Sequence, residues 1–375
     1  MGTKRKPIPS DVSKKLWVKA GGRCEYEGCN KLLYRDDLTE REMNSGLIAH
    51  IVSVDPNDFR GDAVRSKLLE DKLSNLMLLC YDCHRRIDHE EKLTHPEARL
   101  LKMKAEHEDR IELVTGIAAE RKSHIIIYTA RVGAYEPSVS FEQAAYAMIP
   151  ESFPASGQPF FLGASNSMDN DFSDTYWATQ LQQLESSFYR KIEPLLGQDP
   201  IQDFSVFAFA PQPLLIRLGT LLSDKYPGRV YQRHRKEHPW NWEEESETKE
   251  FKLIEPGGDG GPSALVFSLS GGIRRENIYK LMGKDCSVWE VTIDNPFNGF
   301  LRSKDLLQLF KSFTAQTISK IRQKHGCEPL HIFPAMPVSA AVELGKLRMP
   351  KADAPWVIYD YNNHLNGFLK CITIN

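Results

Sequence analysis

The side chains in this chain whose type and spacing could do chemistry crowd into residues 24–89. Cys24 and Cys29 come first, then His50 and Asn75, then Cys80, Cys83 and His84, with Asp88 four residues beyond His84. Cys24-x4-Cys29 and Cys80-x2-Cys83 are two thiol pairs at metal-ligand spacing. Four thiolates suit a tetrahedral, structural Zn²⁺, which would hold together a small unit with little core of its own. His50 lies in the apolar run Leu47-Ile48-Ala49-His50-Ile51, a strand that would present it to a cleft. Neutral imidazole is the side chain suited to activating water near pH 7. His84 and Asp88 are spaced i, i+4 and so share one face of a helix. There they could hold a catalytic Mg²⁺, Mn²⁺ or similar ion, which would stabilise charge on a phosphorane and on a leaving oxygen. Asn75, at a turn before Leu76-Met77-Leu78-Leu79, would fix the strand or the orientation of His50. Arg60, Arg65, Lys67, Arg85 and Arg86 lie among these motifs and could neutralise phosphates; a solvated charged face is the alternative for each.

In this order and beside these thiol pairs, the residues resemble an HNH (ββα-metal) endonuclease of the four-cysteine type. The resemblance implies His50 as general base, Asn75 as the motif asparagine, His84 as a metal-binding histidine and Asp88 as the second helix-borne ligand. Many relatives carry an acidic or histidine ligand just before the base, and here that position is Ala49. The catalytic ion would therefore lean on His84, Asp88, water and the phosphate.

Composition bounds the rest. A chain of 375 residues is long enough for two or three domains. A net charge of −2 gives no global signature of a nucleic-acid binder, so any such surface is local. The first 23 residues are locally basic. No apolar run is long enough to cross a membrane, and the charged start has no apolar stretch behind it, so no secretory signal is expected. Seven cysteines, four of them in short pairs, suggest a reducing compartment and a metal site. Cys286, Cys327 and Cys371 read as ordinary buried thiols. These readings suggest a cytoplasmic protein.

Elements must position the motif residues. Asp11 to Ala20 reads as a helix stopped by Gly21-Gly22, and Pro96 opens a long helical pattern. Beyond Ser123, strand-like runs alternate with helix-like ones. The strands are Ile125–Tyr128, Phe160–Gly163, Phe204–Ala210, Val230–Gln232, Ala264–Leu269, Val288–Ile293, Leu330–Phe333 and Trp356–Tyr359. The helices are Thr175–Leu196, Leu214–Ser223, Lys304–Lys324 and Val338–Leu347. Such alternation argues for parallel sheets with βαβ crossovers. A Gly/Pro-rich break spans Glu255–Pro262. Across it runs a weak repeat: a strand, a Pro-bounded turn, a helix ending in Leu-Gly (Leu218-Gly219, Leu344-Gly345) and another strand.

The region beyond residue 120 has no defensible acid–base or nucleophile motif, so a binding role is favoured. In open α/β sheets the ligand lies beyond the carboxyl ends of the strands. Those ends nominate Ser165, Gln212, Arg233, Arg235, Ser268, Ser270, Phe333, Met336, Pro337 and Asn362, with Tyr176 and Trp177 as stacking candidates. Arginines for phosphate and aromatic faces for bases suit a nucleotide-like ligand. The segments Phe209–Gly219, Val230–Arg235 with Trp240 and Trp242, Phe267–Gly271, and His331–Pro337 through Asp360 resemble the SAVED domain. That domain is two fused CARF-like Rossmann units that sense cyclic oligonucleotides.

The fold class expected is α/β. A small ββα-metal (HNH) zinc-containing domain occupies 1–115, and a two-lobed Rossmann/CARF-like SAVED domain occupies 116–375, its halves at about 123–255 and 262–375. Together the resemblances imply an HNH–SAVED effector of CBASS anti-phage signalling. A cyclic dinucleotide made by a partner nucleotidyltransferase would switch on a homo-oligomeric endonuclease that degrades double-stranded DNA with little sequence specificity, causing abortive infection. The alternatives are a modification-dependent restriction endonuclease whose C-terminal half reads marked DNA, and a zinc-knuckle binding module with a degenerate active site.

Overall fold

Two glycines end the first helix as the sequence predicts: Gly21 and Gly22 take φ of 60° and 65°, a region closed to most side chains. The structure is a computed structural model. It describes residues 6–375 except 37, 134, 136, 164–173, 237–238, 244–248, 259 and 363–365, and of residue 174 only the backbone. The chain divides into two compact units, residues 1–118 and 119–375.

In the first unit, α1 (Ser10–Lys19) leads through the first thiol pair to β1 (Leu47–His50). A short α2 (Arg65–Leu69) precedes β2 (Leu76–Leu79), then come α3 (Tyr81–Arg85) and the long α4 (Glu97–Thr115). β1 and β2 pair antiparallel, Leu47 opposite Leu79 and His50 opposite Leu76. Every side chain of β2 is buried. With Leu16, Leu33, Ala49, Ile51, Ile87, Leu100 and Met103 they form a small core into which the thiols are packed. Helix α3 continues directly as a π-helical turn, Arg86–Glu90. Such turns are rare and often mark functional sites, and this one carries Asp88.

The second unit holds two sheets. In the first, β3 (Lys122–Thr129) pairs with β4 (Phe153–Pro154) and β5 (Phe160–Phe161) on one side and with β6 (Phe204–Phe209) on the other; β7 (Gly228–Tyr231) follows β6. All these pairings are parallel. Helices α5 (Phe141–Met148), α6 (Asp174–Lys191) and α7 (Gln212–Leu222) lie between its strands in sequence. The second sheet contains β8 (Phe251–Ile254), β9 (Ser263–Ser268), β10 (Ser287–Ile293), β11 (Leu330–Ala335), β12 (Trp356–Asn362) and β13 (Gly367–Ile374). Its order is β13-β12-β11-β9-β10-β8. Helices α8 (Arg275–Met282), α9 (Lys304–His325) and α10 (Val338–Lys346) connect its central strands. These strands read as continuous apolar runs because helices cover them.

Two expectations change. The second sheet is mixed, because β8 and β13 run antiparallel at its edges. Neither edge strand stands out in the sequence, since one face of each meets solvent and breaks the apolar run. The division between the sheets also falls before β8, not at the Gly/Pro break, because β8 pairs with β10 beyond the break.

The weak repeat has a physical counterpart. α7 and α10 pack directly on each other through its two glycines. A Cβ on Gly219 would lie 2.0 Å from the Val342 carbonyl oxygen, and one on Gly345 would lie 2.0 Å from that of Ile216. Each glycine therefore faces the residue three before the other, the reciprocal pattern of a two-fold contact. The Met336 amide donates to Gln212 Oε1 at 3.1 Å, so the helix starts also meet and the two helices run the same way. Among the described residues no helix is long and apolar enough to cross a membrane.

Candidate functional site

The four thiols come from two turns 50 residues apart and converge. All four Sγ atoms lie within 4.8 Å of one another. Cys29 and Cys80 are 3.9 Å apart, and the Cys80 amide donates to Cys24 Sγ at 3.3 Å. A tetrahedron of Zn–S bonds of ~2.3 Å has edges of about 3.8 Å, so this donor set fits zinc in number, chemistry and size. The thiols do not ionise alike. A hydrogen bond from Cys83 and the Cys80 amide outweigh burial and pull Cys24 down to about 6. Burial and the neighbouring thiolate push Cys29 up to about 11, and the shared hydrogen bond with Cys24 drives Cys83 higher still. Burial and mutual hydrogen bonding thus oppose ionisation of Cys29 and Cys83, which a bound cation would offset. Behind the thiols, buried Glu25 accepts the Leu78 amide at 2.5 Å and faces Lys104 at 3.8 Å.

His50 is half-buried at the end of β1. Its Nε2 lies 2.9 Å from the Glu70 carbonyl oxygen. A carbonyl only accepts, so Nε2 carries the proton and the lone pair of the neutral ring resides on Nδ1. Asn75 is buried and fastens the backbone just beyond. Its Oδ1 accepts the Val52 amide at 2.7 Å, its Nδ2 donates to the Val52 carbonyl at 3.0 Å, and its own carbonyl accepts the Ile51 amide. It thus fixes the chain that leaves His50.

His84 and Asp88 do share one helical face, with Nδ1 and Oδ2 3.4 Å apart. Among the described residues no third histidine, cysteine or carboxylate joins them as a ligand group. Ala49 is buried in the core and adds nothing. The donor chemistry fits a hard divalent ion that keeps most of its waters.

Of the five basic residues read as phosphate contacts, Arg60 is buried and committed. Its Nε donates to the Ile51 carbonyl at 2.9 Å, Nη1 to the Ile87 carbonyl at 2.8 Å and Nη2 to Asp88 Oδ1 at 2.7 Å. Arg65 pairs with Glu97, Arg85 with Glu90 and Arg86 with Glu91.

In the second unit the nominated residues divide. Gln212, Arg233 and Arg235 stay at least partly accessible. Gln212 binds the Met336 amide, while Arg233 lies over the Phe209 ring, 4.9 Å from its centroid. Arg235 is exposed. Others are packed away, because a residue at a strand end can still point into a covering layer. Phe333 stacks on Tyr359 at 4.4 Å inside the core. Tyr176 is fully buried with its hydroxyl on the Arg131 carbonyl, and Trp177 packs against it edge-on. Ser268 donates to Glu290 at 2.7 Å, and Met336 belongs to the apolar core. Pro337 is the buried N-cap of α10, and Asn362 is buried at the end of β12. Ser270 is brought to β11, its amide donating to the Ala335 carbonyl at 2.7 Å; its buried Oγ has no partner among the described residues. Ser165 lies outside the described residues. Trp240, one of the residues of the SAVED resemblance, is core, and Cys327 is exposed rather than buried.

The sequence placed Gln232 at a strand end but did not show its role as a cap. Its Oε1 accepts both the amide and the hydroxyl of Ser339, at 3.1 and 2.7 Å, so the end of β7 caps the first turn of α10. With Gln212, Ser270 and Met336 this gathers four strand ends around two helix starts. No short motif marks such a cluster.

Comparisons with known proteins bear on this unit. Among solved structures, the Acinetobacter baumannii Cap4 SAVED/CARF-domain containing receptor with the cyclic trinucleotide 2'3'3'-cAAA is 11% identical with a TM-score of 0.43. That match covers 83% of this chain and 61% of the receptor, so the chain spans about three-fifths of that protein's length. The Moraxella osloensis Cap4 SAVED/CARF-domain containing receptor is 12% identical with a TM-score of 0.39, covering 83% of this chain and 70% of that one. No curated protein matches the chain. The family model described as "SMODS-associated and fused to various effectors sensor domain" matches residues 184–374, from within α6 to the end of β13. That span is just over half of the 375 residues and takes in the paired helices and the cluster at their starts, so the chain belongs to the SAVED family of sensor domains.

Proposed function

We propose that this protein is a metal-dependent DNA endonuclease of HNH type, switched on by a cyclic oligonucleotide in anti-phage defence. The observation that carries the nuclease reading is the shared frame of His50, Asn75, His84 and Asp88. His50 ends β1, Asn75 sits in the turn that leads into the paired β2, and His84 and Asp88 lie on the helix and π-turn that follow, beside a four-thiol cluster. SAVED membership carries the sensor reading.

In this mechanism His50 Nδ1 takes a proton from the attacking water while Glu70 holds the other ring nitrogen. Asn75 keeps the His50 strand in place. A divalent ion, when bound at His84, would supply charge stabilisation to the scissile phosphate and the leaving 3′ oxygen. Zinc, when held by Cys24, Cys29, Cys80 and Cys83, would be structural. Regulation follows from population shift: a ligand activates only if it binds the competent assembly better than the idle one. The ligand class is a cyclic di- or trinucleotide, bound near the two helix starts, where aligned peptide dipoles favour phosphate. The competent assembly is a homo-oligomer that pairs nuclease units on double-stranded DNA.

Plasmid cleavage in Mg²⁺ or Mn²⁺, with and without a panel of cyclic di- and trinucleotides, tests both halves. Cutting that appears with one of them supports the whole reading. Cutting of unmodified DNA regardless of ligand leaves a constitutive nuclease. Absence of cutting under every condition removes the enzyme.

A further inference from the structure

Among the described residues the buried lysine and arginine side chains are Arg60, Lys104 and Arg348. Two of them are satisfied. Arg60 has the Ile51 and Ile87 carbonyls and Asp88, and Lys104 lies against Glu108 and Glu25. Arg348, at 4% exposed the most enclosed of the three, is not satisfied. Its Nε is buried without an acceptor, and no carboxylate pairs with its guanidinium among the described residues.

The charged groups around Arg348 are Asp353 and Arg217. Asp353 is already committed: Oδ1 accepts from Arg322 Nη1 at 3.2 Å and Oδ2 from the Met349 amide at 2.7 Å. Arg217 adds a second positive charge, and its own carboxylate, Glu185, already lies 2.8 Å from Nε and 2.6 Å from Nη2. The cluster therefore sets the guanidiniums of Arg217, Arg322 and Arg348 against the two carboxylates of Glu185 and Asp353. Burial holds Arg348 below the usual guanidinium range, Asp353 opposes this and Arg217 adds to it. An arginine does not lose its proton in a protein, so the buried charge stays and calls for an anion.

The cluster also has a defined place. The Arg348 amide donates to the Gly345 carbonyl at 3.2 Å, and Gly345 lies against Ile216 of α7. Arg348 thus stands at the carboxyl end of the paired helices. At 1.5 Å per residue, α10 separates it by about 13 Å from the helix starts that gather Gln212 and Gln232.

We propose that Arg348, with Arg217 beside it, binds a small inorganic oxyanion of the phosphate type, which balances the cluster at the far end of the helix pair. The planar fork of a guanidinium matches the oxygens of such an ion. With so little of Arg348 accessible, a compact ion reaches it and a nucleotide or a protein surface does not.

The test is thermal melting of the full chain in inorganic phosphate, against sodium chloride at equal ionic strength. Binding to the folded state raises the melting temperature through a site that fills, whereas the general effect of an excluded salt keeps growing with concentration. The wild type should show a rise that saturates in phosphate and not in chloride. Arg348→Met keeps an apolar stem, removes the charge and should lose the saturable part. Asp353→Asn withdraws the one carboxylate that faces Arg348 and should tighten phosphate binding several-fold. A wild type without a saturable rise, an equal rise in chloride, or a saturable rise that survives in folded Arg348→Met overturns the proposal. Should Arg348→Met not fold, Asp353→Asn decides, and phosphate binding that is unchanged or weaker in it overturns the proposal. Neither DNA nor a cyclic nucleotide enters these measurements, so their outcome is independent of the nuclease and sensor readings.

Discussion

The two units of this chain are held together by different physics. In the first, a small apolar core is supplemented by four thiols and by polar fasteners: Asn75 on Val52, Arg60 on Asp88, and a Lys19–Glu108–Lys104 chain joining α1 to α4. In the second, a large continuous core lies between sheets and helices, and its two lobes meet at a glycine-to-glycine helix contact. The first unit depends on a few polar groups whose identity cannot change. The second depends on volume and shape, which many sequences satisfy. Motifs are therefore dense in the first unit and sparse in the second.

The contrast can be broken from either side. The largest effect is expected from His50→Ala. It should remove DNA cutting by about 10²–10⁴-fold while isothermal titration with the activating nucleotide stays unchanged; full cutting by the variant would exclude His50 as the base. Next is Cys83→Ser. Elemental analysis should show loss of bound zinc, and hydrogen exchange should rise across residues 24–33 and 76–87 while the sheets of the second unit stay protected. Uniform protection in the metal-free variant would show that the first unit needs no ion.

On the second unit, Gly219→Ala drives a methyl group into the Val342 carbonyl 2.0 Å away. Overpacking of this kind costs about 1–3 kcal/mol and should lower the melting temperature. Gly272→Ala, with nothing within 4 Å of the new atom, is the control and should be near neutral. Equal melting points for the two would dissolve the helix contact. Gln232→Ala leaves the Ser339 amide and hydroxyl without their acceptor and should cost about 1–3 kcal/mol, read from urea midpoints.

The smallest effect concerns pH. Burial pulls His234 down from 6.5 to about 4. The unfolded chain therefore binds this proton first, so the stability contributed by neutral His234 is full above about 6.5 and is lost as pH falls toward 4. Urea midpoints of His234→Gln should fall less than those of wild type between pH 7 and 4.5. Parallel curves would remove His234 as a source of acid sensitivity.

Much of the fold was legible. The central strands β3, β6, β9, β10, β11 and β12 are apolar runs too long and too β-branched to be missed, and α1, α4, α7, α9 and α10 carry clear stops or periodicity. Edge strands β8 and β13 were not, because alternation with polar residues hides them. At the candidate site, the convergence of Cys24, Cys29, Cys80 and Cys83 and the shared face of His84 and Asp88 were readable, because metal-ligand spacing restricts both residue type and position. Arg60 was misread as a surface phosphate contact, since an arginine in a loop gives no sign that three acceptors await it. Phe333, Tyr176 and Trp177 were misread because an aromatic at a strand or helix end looks the same whether it faces a cleft or a core.

By itself the sequence determined the residue kinds that can do chemistry, the alternation of strands and helices, and a faint repeat ending in Leu-Gly. These are local properties, set by spacing and by the conformational preferences of each residue. Tertiary structure alone decided which charges are spent internally and which are left for a partner. It turned Arg60 inward onto Asp88, laid Gly219 against Gly345, and brought Gln232 to the start of α10. Each joins residues distant in the chain, and the cost of an unpaired buried polar group or of an overlap between backbones exists only once the chain has folded.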